Sequence, residues 1–174
     1  EFHNKVMVDE QVLGETSEIK LPGSHNLLNV LAALCAVKLT GTDLKKAWQG
    51  ITSFEGLEHR LEKVQGINGV LYVNDSYATN PEPTLAAIKS FDQPKVLILG
   101  GSSKGANFNN LAKEITESQV RGVILIGDEA ENIKKSLDNA GYNGEIKKGY
   151  TKMTEIVKAT SEIAKEGDVV ILSP

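Results

Sequence analysis

The 174-residue sequence has little of what marks a secreted, membrane-spanning or nucleic-acid-binding protein. It contains a single cysteine, Cys35, so no disulfide can form within the chain, which fits a reducing cytoplasm. The longest apolar stretch, around Val30 to Val37, is far shorter than a bilayer requires. The net charge is −4 and no basic run occurs. We therefore expect a cytoplasmic protein with no membrane or nucleic-acid partner.

The two ends of the sequence are unusual. The chain opens at Glu1 without a methionine, and it stops at Pro174 directly after an apolar, strand-like run. These ends predict a piece of a longer polypeptide.

Residues 1–56 have a pattern of their own. Positions 4–20 alternate loosely and predict a hairpin with Gly14 near its turn. Ser24 is expected to cap a helix that ends at Leu39, and apolar residues surround this helix almost completely, which predicts burial. Cys35 lies within the helix, and we expect it to be a small core residue.

The pattern changes after residue 56. Apolar strands are predicted at 95–101, 120–127 and 168–172, and helices at 81–90, 108–118, 130–140 and 151–165. Apolar strands that alternate with amphipathic helices are typical of a parallel sheet covered on both faces. We predict an α/β fold, with a Rossmann-like, mostly parallel sheet over 57–174 and part of another domain over 1–56.

Polar residues cluster at two predicted strand ends. Arg60 comes just before one strand and can bind phosphate or carboxylate oxygens through its forked donors. Asp75, Tyr77 and Thr79 follow another strand, in the segment DSYATN. These groups suit a charged, phosphorylated ligand, although a solvated turn uses the same residue types.

A glycine-containing loop, GGSSKG, follows the apolar strand at 95–101. The spacing fits neither a Walker A loop nor GxGxxG, because Lys104 precedes Gly105 and no Ser or Thr follows the lysine. A tight turn would explain the glycines. The mobile charge of Lys104 at the carboxyl end of a parallel strand favours an anion site instead.

The predicted first helix carries two amides near its start. Asn26 and Asn29 are three residues apart and therefore share a face. They can cap the helix, or they can recognise a nucleobase or ribose edge.

Several of these motifs occur together in one order. LPGSHNLLNVLAAL, GLEHR, DSYATNP, LILGGSSKGANF and the closing GDVVILSP resemble the Mur ligases of peptidoglycan synthesis. The resemblance implies that residues 1–56 are the end of a central ATP-binding domain and that 57–174 are most of the C-terminal domain. It also implies a reaction that uses ATP and Mg²⁺, in which D-glutamate is added to a UDP-linked muramoyl substrate through an acyl phosphate.

The resemblance assigns roles residue by residue. It implies ATP contacts for Asn26, Asn29, Arg60 and Asp75, and contacts to the incoming amino acid for Thr79, Lys104 and Tyr77. Tyr77 departs from the family pattern, which commonly has lysine there. The phosphate-binding loop and the magnesium ligands are expected upstream of Glu1. We therefore expect this chain to be inactive alone, and we expect the full-length protein to be a monomer.

Other interpretations remain open at this point. One is a different ligase of this superfamily, such as a dipeptide-adding or folylpolyglutamate-type enzyme. The dipeptide-adding ligase has a stretch, D-Y-N-A-N-P, that resembles DSYATNP. It lacks the GG--KGA-F motif, and Lys104 favours an acidic amino acid instead. A nicotinamide-dinucleotide-binding domain could use GGSSKG as a loose phosphate loop, with Asp128 after the next strand. A non-enzymatic interaction module is the third alternative.

Overall fold

A computed structural model describes residues 4–102 and 105–174. The chain divides into two compact units, Glu1–Gly56 and Leu57–Pro174. Each unit has its own hydrophobic core.

The first unit consists of a hairpin and two helices. Strands β1 (Lys5–Val8) and β2 (Gln11–Glu15) pair antiparallel. A short 3-10 helix follows at Thr16–Glu18, and then helices α1 (Ser24–Leu39) and α2 (Leu44–Ser53). Their shared core is built from four buried side chains, Val6, Val30, Leu34 and Trp48.

Two local predictions for this unit were wrong. Gly14 lies inside β2 opposite Val6, because the hairpin turns earlier, between β1 and β2. A side chain at Gly14 would collide with the indole of Trp48, so the glycine permits close packing rather than a turn. Ser24 is the first residue of α1, and Gly23 takes the capping position with a positive φ of 90°.

The predicted burial of α1 was also wrong. Only Val30 and Leu34 are buried, because within this unit the hairpin and α2 cover a single side of the helix. The opposite side exposes an apolar stripe at helical spacing, formed by Leu28, Ala32, Cys35, Ala36 and Leu39. Cys35 is therefore an exposed thiol and not a core residue.

The second unit is an α/β layer structure. Its strands are β3 (Glu62–Ile67), β4 (Val70–Asn74), β5 (Lys95–Gly101), β6 (Val120–Gly127), β7 (Glu145–Lys148) and β8 (Val169–Leu172). Its helices are α3 (Pro81–Lys89), α4 (Asn109–Glu117), α5 (Ala130–Asn139) and α6 (Met153–Ile163).

The six strands form one sheet in the order β3-β4-β8-β5-β6-β7. β3 and β4 form an antiparallel hairpin, and every other neighbouring pair is parallel. The hairpin turns at Asn68 and Gly69, which both have positive φ, as tight hairpin turns require. The predicted fold class, a mostly parallel α/β sheet, is confirmed.

Alternating side chains of the central strands fill two cores, one on each face of the sheet. Leu97 and Leu99 of β5 pack with Ile115 of α4 and Ile133 of α5 on one face. Their neighbours along the strand, such as Ile98, pack on the other face against α6. Helices therefore cover both faces, and the carboxyl ends of the parallel strands are left open for ligands. None of the helices in the described ranges is both long and apolar enough to cross a bilayer.

Candidate functional site

A cavity of about 220 Å³ opens at the carboxyl ends of the parallel strands. Gly101 at the end of β5, Thr79 before α3, Glu129 after β6 and Ser173 after β8 all contribute to its wall. Ligands of open α/β sheets bind at this edge, so the cavity is the candidate site of the second unit.

Two polar turns lie next to this edge and are joined by hydrogen bonds. The backbone N–H of Tyr77 donates to the carbonyl of His59 at 3.1 Å. The side-chain amide of Asn74 lies 2.8 Å from His59 Nδ1 and 3.1 Å from the Glu62 carboxylate. The turn that carries Arg60 is therefore fixed to the turn of the DSYATN segment.

Asp75 is the buried centre of this connection. Its side chain is only 6% exposed. Oδ1 accepts the backbone N–H of Leu61 at 3.0 Å, and Oδ2 accepts the hydroxyl of Ser173 at 3.2 Å. The carboxylate thus joins the Arg60 turn to the end of β8, which lies in the middle of the sheet.

Arg60 projects from a strained turn. His59 and Leu61, on either side of it, have positive φ angles of 65° and 46°, which are uncommon for residues other than glycine. The Arg60 guanidinium carbon lies 5.7 Å from the centre of the Tyr77 ring. Within residues 4–102 and 105–174, no carboxylate forms an ion pair with this guanidinium. Its N–H donors are therefore available to an external anion.

The residues expected at the amino-acid site are only partly described. Thr79 is exposed and lies in the wall of the cavity. Asn80 beside it caps α3 by accepting the N–H of Glu82 at 3.1 Å. Lys104 lies outside the described residues, but the flanking Gly101, Ser102 and Ala106 line the same cavity.

Asn26 and Asn29 belong to the first unit. As predicted from their spacing, they share a face of α1, and Asn29 Nδ2 donates to Asn26 Oδ1 at 3.3 Å. Asn26 Nδ2 donates to the carbonyl of Pro22 at 2.8 Å, so one amide stabilises the turn before the helix. Asn29 is exposed, and its carbonyl oxygen can accept a bond from a ligand.

Sequence reasoning missed three buried polar residues of the cavity wall, Thr84, Glu129 and Ser173. Glu129 is 2% exposed, and Oε2 accepts the Asn132 side-chain amide at 2.7 Å. Sequence reasoning had singled out the neighbouring Asp128, which is exposed. Ser173 Oγ lies 2.9 Å from Thr84 Oγ1 and was missed because these residues are 89 positions apart. Only the position of Glu129, two residues after β6, was a usable signal.

The described residues suit the implied ATP better than the implied Mg²⁺. Arg60, held at a turn and without a carboxylate partner in the described ranges, suits a phosphate. No three His, Cys, Asp or Glu side chains come together in the part of the chain that the structure describes. We therefore assign no magnesium site to these residues.

Comparison with known proteins agrees with this architecture. Residues 59–174 match the family described as Mur ligase, glutamate ligase domain, so the chain belongs to the Mur ligase family. The chain is 43% identical over 158 residues to UDP-N-acetylmuramoylalanine–D-glutamate ligase of Clostridioides difficile. That match covers 90% of this chain and 34% of the relative, so the chain spans about a third of its length.

Solved structures share the fold at low identity. UDP-N-acetylmuramate–alanine ligase (MurC) of Thermotoga maritima has a TM-score of 0.69 and 22% identity, over 88% of this chain and 35% of that protein. The MurF ligase of the same organism, solved in complex with ADP, has a TM-score of 0.64 and 22% identity, over 86% and 34%. At this identity the likeness establishes the fold alone.

Proposed function

We propose that the full-length protein is a UDP-N-acetylmuramoylalanine–D-glutamate ligase (MurD) of peptidoglycan synthesis. The observation that carries the proposal is the 43% identity to a relative of that name across 90% of this chain. The geometry supports it, because an arginine suited to phosphate lies beside a cavity at the ligand-binding edge of the sheet.

The residues divide into two sets under this proposal. Asn26 and Asn29 of the first unit, with Arg60 of the second, bind ATP. Asp75 belongs to the same set. Its carboxylate accepts the Leu61 N–H and so holds the turn that carries Arg60. Thr79 and Lys104 bind the carboxylates of D-glutamate through a hydroxyl and an ammonium group. The resemblance also predicted Tyr77 for this second set, but its contact with Arg60 at 5.7 Å supports a place beside the first set instead.

The proposed reaction has two steps. The terminal phosphoryl group of ATP passes to the carboxylate of UDP-N-acetylmuramoyl-L-alanine, which gives ADP and an acyl phosphate. The amine of D-glutamate then attacks the acyl carbon, an amide bond forms, phosphate leaves and the nitrogen loses a proton. Bound Mg²⁺ would neutralise phosphate charge. The described residues contribute orientation and positive charge, which are the main sources of catalysis in phosphoryl transfer.

Amino-acid-dependent phosphate release by the full-length protein tests the proposal. With ATP, Mg²⁺ and UDP-N-acetylmuramoyl-L-alanine, D-glutamate should trigger release, whereas L-glutamate and D-alanyl-D-alanine should not. Release with the dipeptide alone would identify a different Mur ligase. Saturable NADH binding without any ligase activity would favour the dinucleotide-binding alternative.

Further properties follow from the same proposal. The substrates are cytoplasmic, so we place the protein there, as a monomer without nucleic-acid or membrane partners. Residues 1–174 contain no GxxxxGK[ST] loop, so this chain alone should not hydrolyse ATP. Detectable ADP release by the isolated chain would contradict this expectation.

A further inference from the structure

The ring of Tyr77 contacts the Arg60 turn. Its centre lies 5.7 Å from the His59 ring at an interplanar angle of 72°, an edge-to-face arrangement. The Arg60 guanidinium carbon lies at the same distance, 5.7 Å, from the Tyr77 ring centre. Tyr77 is 59% exposed, so its ring is held by these two contacts and not by burial in a core.

The backbone beneath Arg60 is fixed independently of this ring. Leu61 N–H is held by Asp75, and His59 N–H donates to the Glu62 carboxylate at 2.9 Å. These bonds maintain the left-handed conformation of His59 and Leu61, which is unfavourable for residues other than glycine. They fix the backbone position of Arg60, but not the position of its guanidinium group.

The Tyr77 ring restrains the position of the Arg60 guanidinium. An arginine placed over an aromatic face is attracted by the ring electrons, and this contact uses none of its N–H donors. No carboxylate in the described ranges pairs with Arg60. The guanidinium is therefore oriented while its donors stay available for phosphate oxygens.

We propose that Tyr77 is a positioning residue for Arg60, and so acts on the ATP side of the site. This inference rests on the proposed ligase function. It also gives a physical meaning to the departure from the family pattern, because a lysine at this position would place a second positive charge beside Arg60. A tyrosine orients the arginine without repelling it.

Steady-state kinetics of the full-length protein with Tyr77→Leu and Tyr77→Phe tests the proposal. Tyr77→Leu should raise the KM for ATP by about two- to fivefold, the range expected for loss of an exposed cation–π contact. The KM for D-glutamate should stay unchanged. Tyr77→Phe retains the ring and should keep the wild-type KM for ATP. Both variants should melt at the same temperature as the wild type, which shows that the fold is intact.

A double-mutant cycle separates an effect through Arg60 from an independent one. In an Arg60→Ala background, Tyr77→Leu should cause no further rise in the KM for ATP, because the group that it positions is gone. Additive effects would overturn the proposal, as would a raised KM for D-glutamate with an unchanged KM for ATP. If the wild-type protein released no phosphate with D-glutamate, the proposed function would fail before any variant was compared.

Discussion

Ser173 and Asp75 lie 98 residues apart in the sequence, yet the Ser173 hydroxyl donates a 3.2 Å hydrogen bond to Asp75 Oδ2. Both side chains are buried. The other carboxylate oxygen of Asp75 holds the N–H of Leu61, so the last strand and the Arg60 turn meet at a single side chain.

Asp75→Ala should therefore destabilise the protein. The substitution leaves the Leu61 N–H and the Ser173 hydroxyl without this acceptor, at a cost of about 1–3 kcal/mol. Urea unfolding should show the loss as a lower midpoint. Asp128→Ala, at an exposed acid directly after β6, is the matched control and should change stability by less than about 0.5 kcal/mol. Equal midpoints for both variants would contradict a structural role for Asp75.

Gly100→Ala should disrupt the ligand-binding edge of the sheet. A Cβ at Gly100 would collide with the backbone carbonyl of Ile126 on the paired strand β6. Because the backbone of β6 cannot shift without breaking sheet hydrogen bonds, we expect a destabilisation of about 1–3 kcal/mol or more, measured by thermal unfolding. Gly66→Ala in β3 meets no atom within 4 Å and is the control. A Gly100→Ala protein as stable as the control would show that the strands can separate without cost.

Arg60→Ala should weaken ATP use much more than it weakens stability. The guanidinium is exposed, so its removal leaves no cavity, while loss of a charge-assisted phosphate contact costs about 1.5–3 kcal/mol. Under the proposed function, the full-length protein should show this loss as a rise in the KM for ATP, a fall in kcat, or both. Unchanged kinetic constants for ATP would refute the assignment.

Lys104→Ala should mainly raise the KM for D-glutamate. The loop that carries Lys104 follows β5, and its neighbours Gly101 and Ala106 line the cavity together with Thr79. Removal of the ammonium takes away the charged partner of a substrate carboxylate. Thr79→Val should affect the same constant through loss of the hydroxyl. If Lys104→Ala abolished nucleotide binding and spared amino-acid kinetics, GGSSKG would be a phosphate loop instead.

Tyr142 should ionise only at a pH well above the ordinary pKa of a tyrosine. Burial, assisted by the charge of Glu145, raises the pKa of Tyr142 from 10.0 to about 12. The folded state therefore keeps this proton longer than the unfolded state does. The stability from this group is complete below pH 10 and is lost as the pH rises through about 12.

A phenolate absorbance titration should show this late transition, and Tyr142→Phe should remove it. The hydroxyl of Tyr142 donates to the carbonyl of Val120 at 3.2 Å, so the substitution also removes one hydrogen bond. Phenolate absorbance in the folded wild type that reached its maximum near pH 10 would contradict burial of the phenol.

Much of the second unit follows from sequence pattern. The predicted strands 95–101 and 120–127 match β5 and β6 at both ends, because a run of apolar residues bounded by polar ones suits a buried parallel strand. The first unit was predicted less well. The continuous apolar surface of α1 indicates burial, but only Val30 and Leu34 of this helix are buried in the core of the unit.

The site shows the same limit of sequence reasoning. Arg60 and Thr79 could be singled out because their residue types suit phosphate and carboxylate groups. The bonds from Asp75 to Leu61 and Ser173 could not be predicted, since they depend on how strands distant in sequence are paired. The contact of Tyr77 with Arg60 needed side-chain geometry, which no spacing rule provides.

The order of the strands has a consequence for how this protein behaves at high concentration. The two outermost strands, β3 and β7, have the sequences EKVQGI and EIKK, and β3 contains an irregularity in register between Lys63 and Gln65. Charged side chains and a distorted edge discourage strands of another molecule from adding to a sheet. The apolar central strands are thereby kept away from edge-to-edge growth.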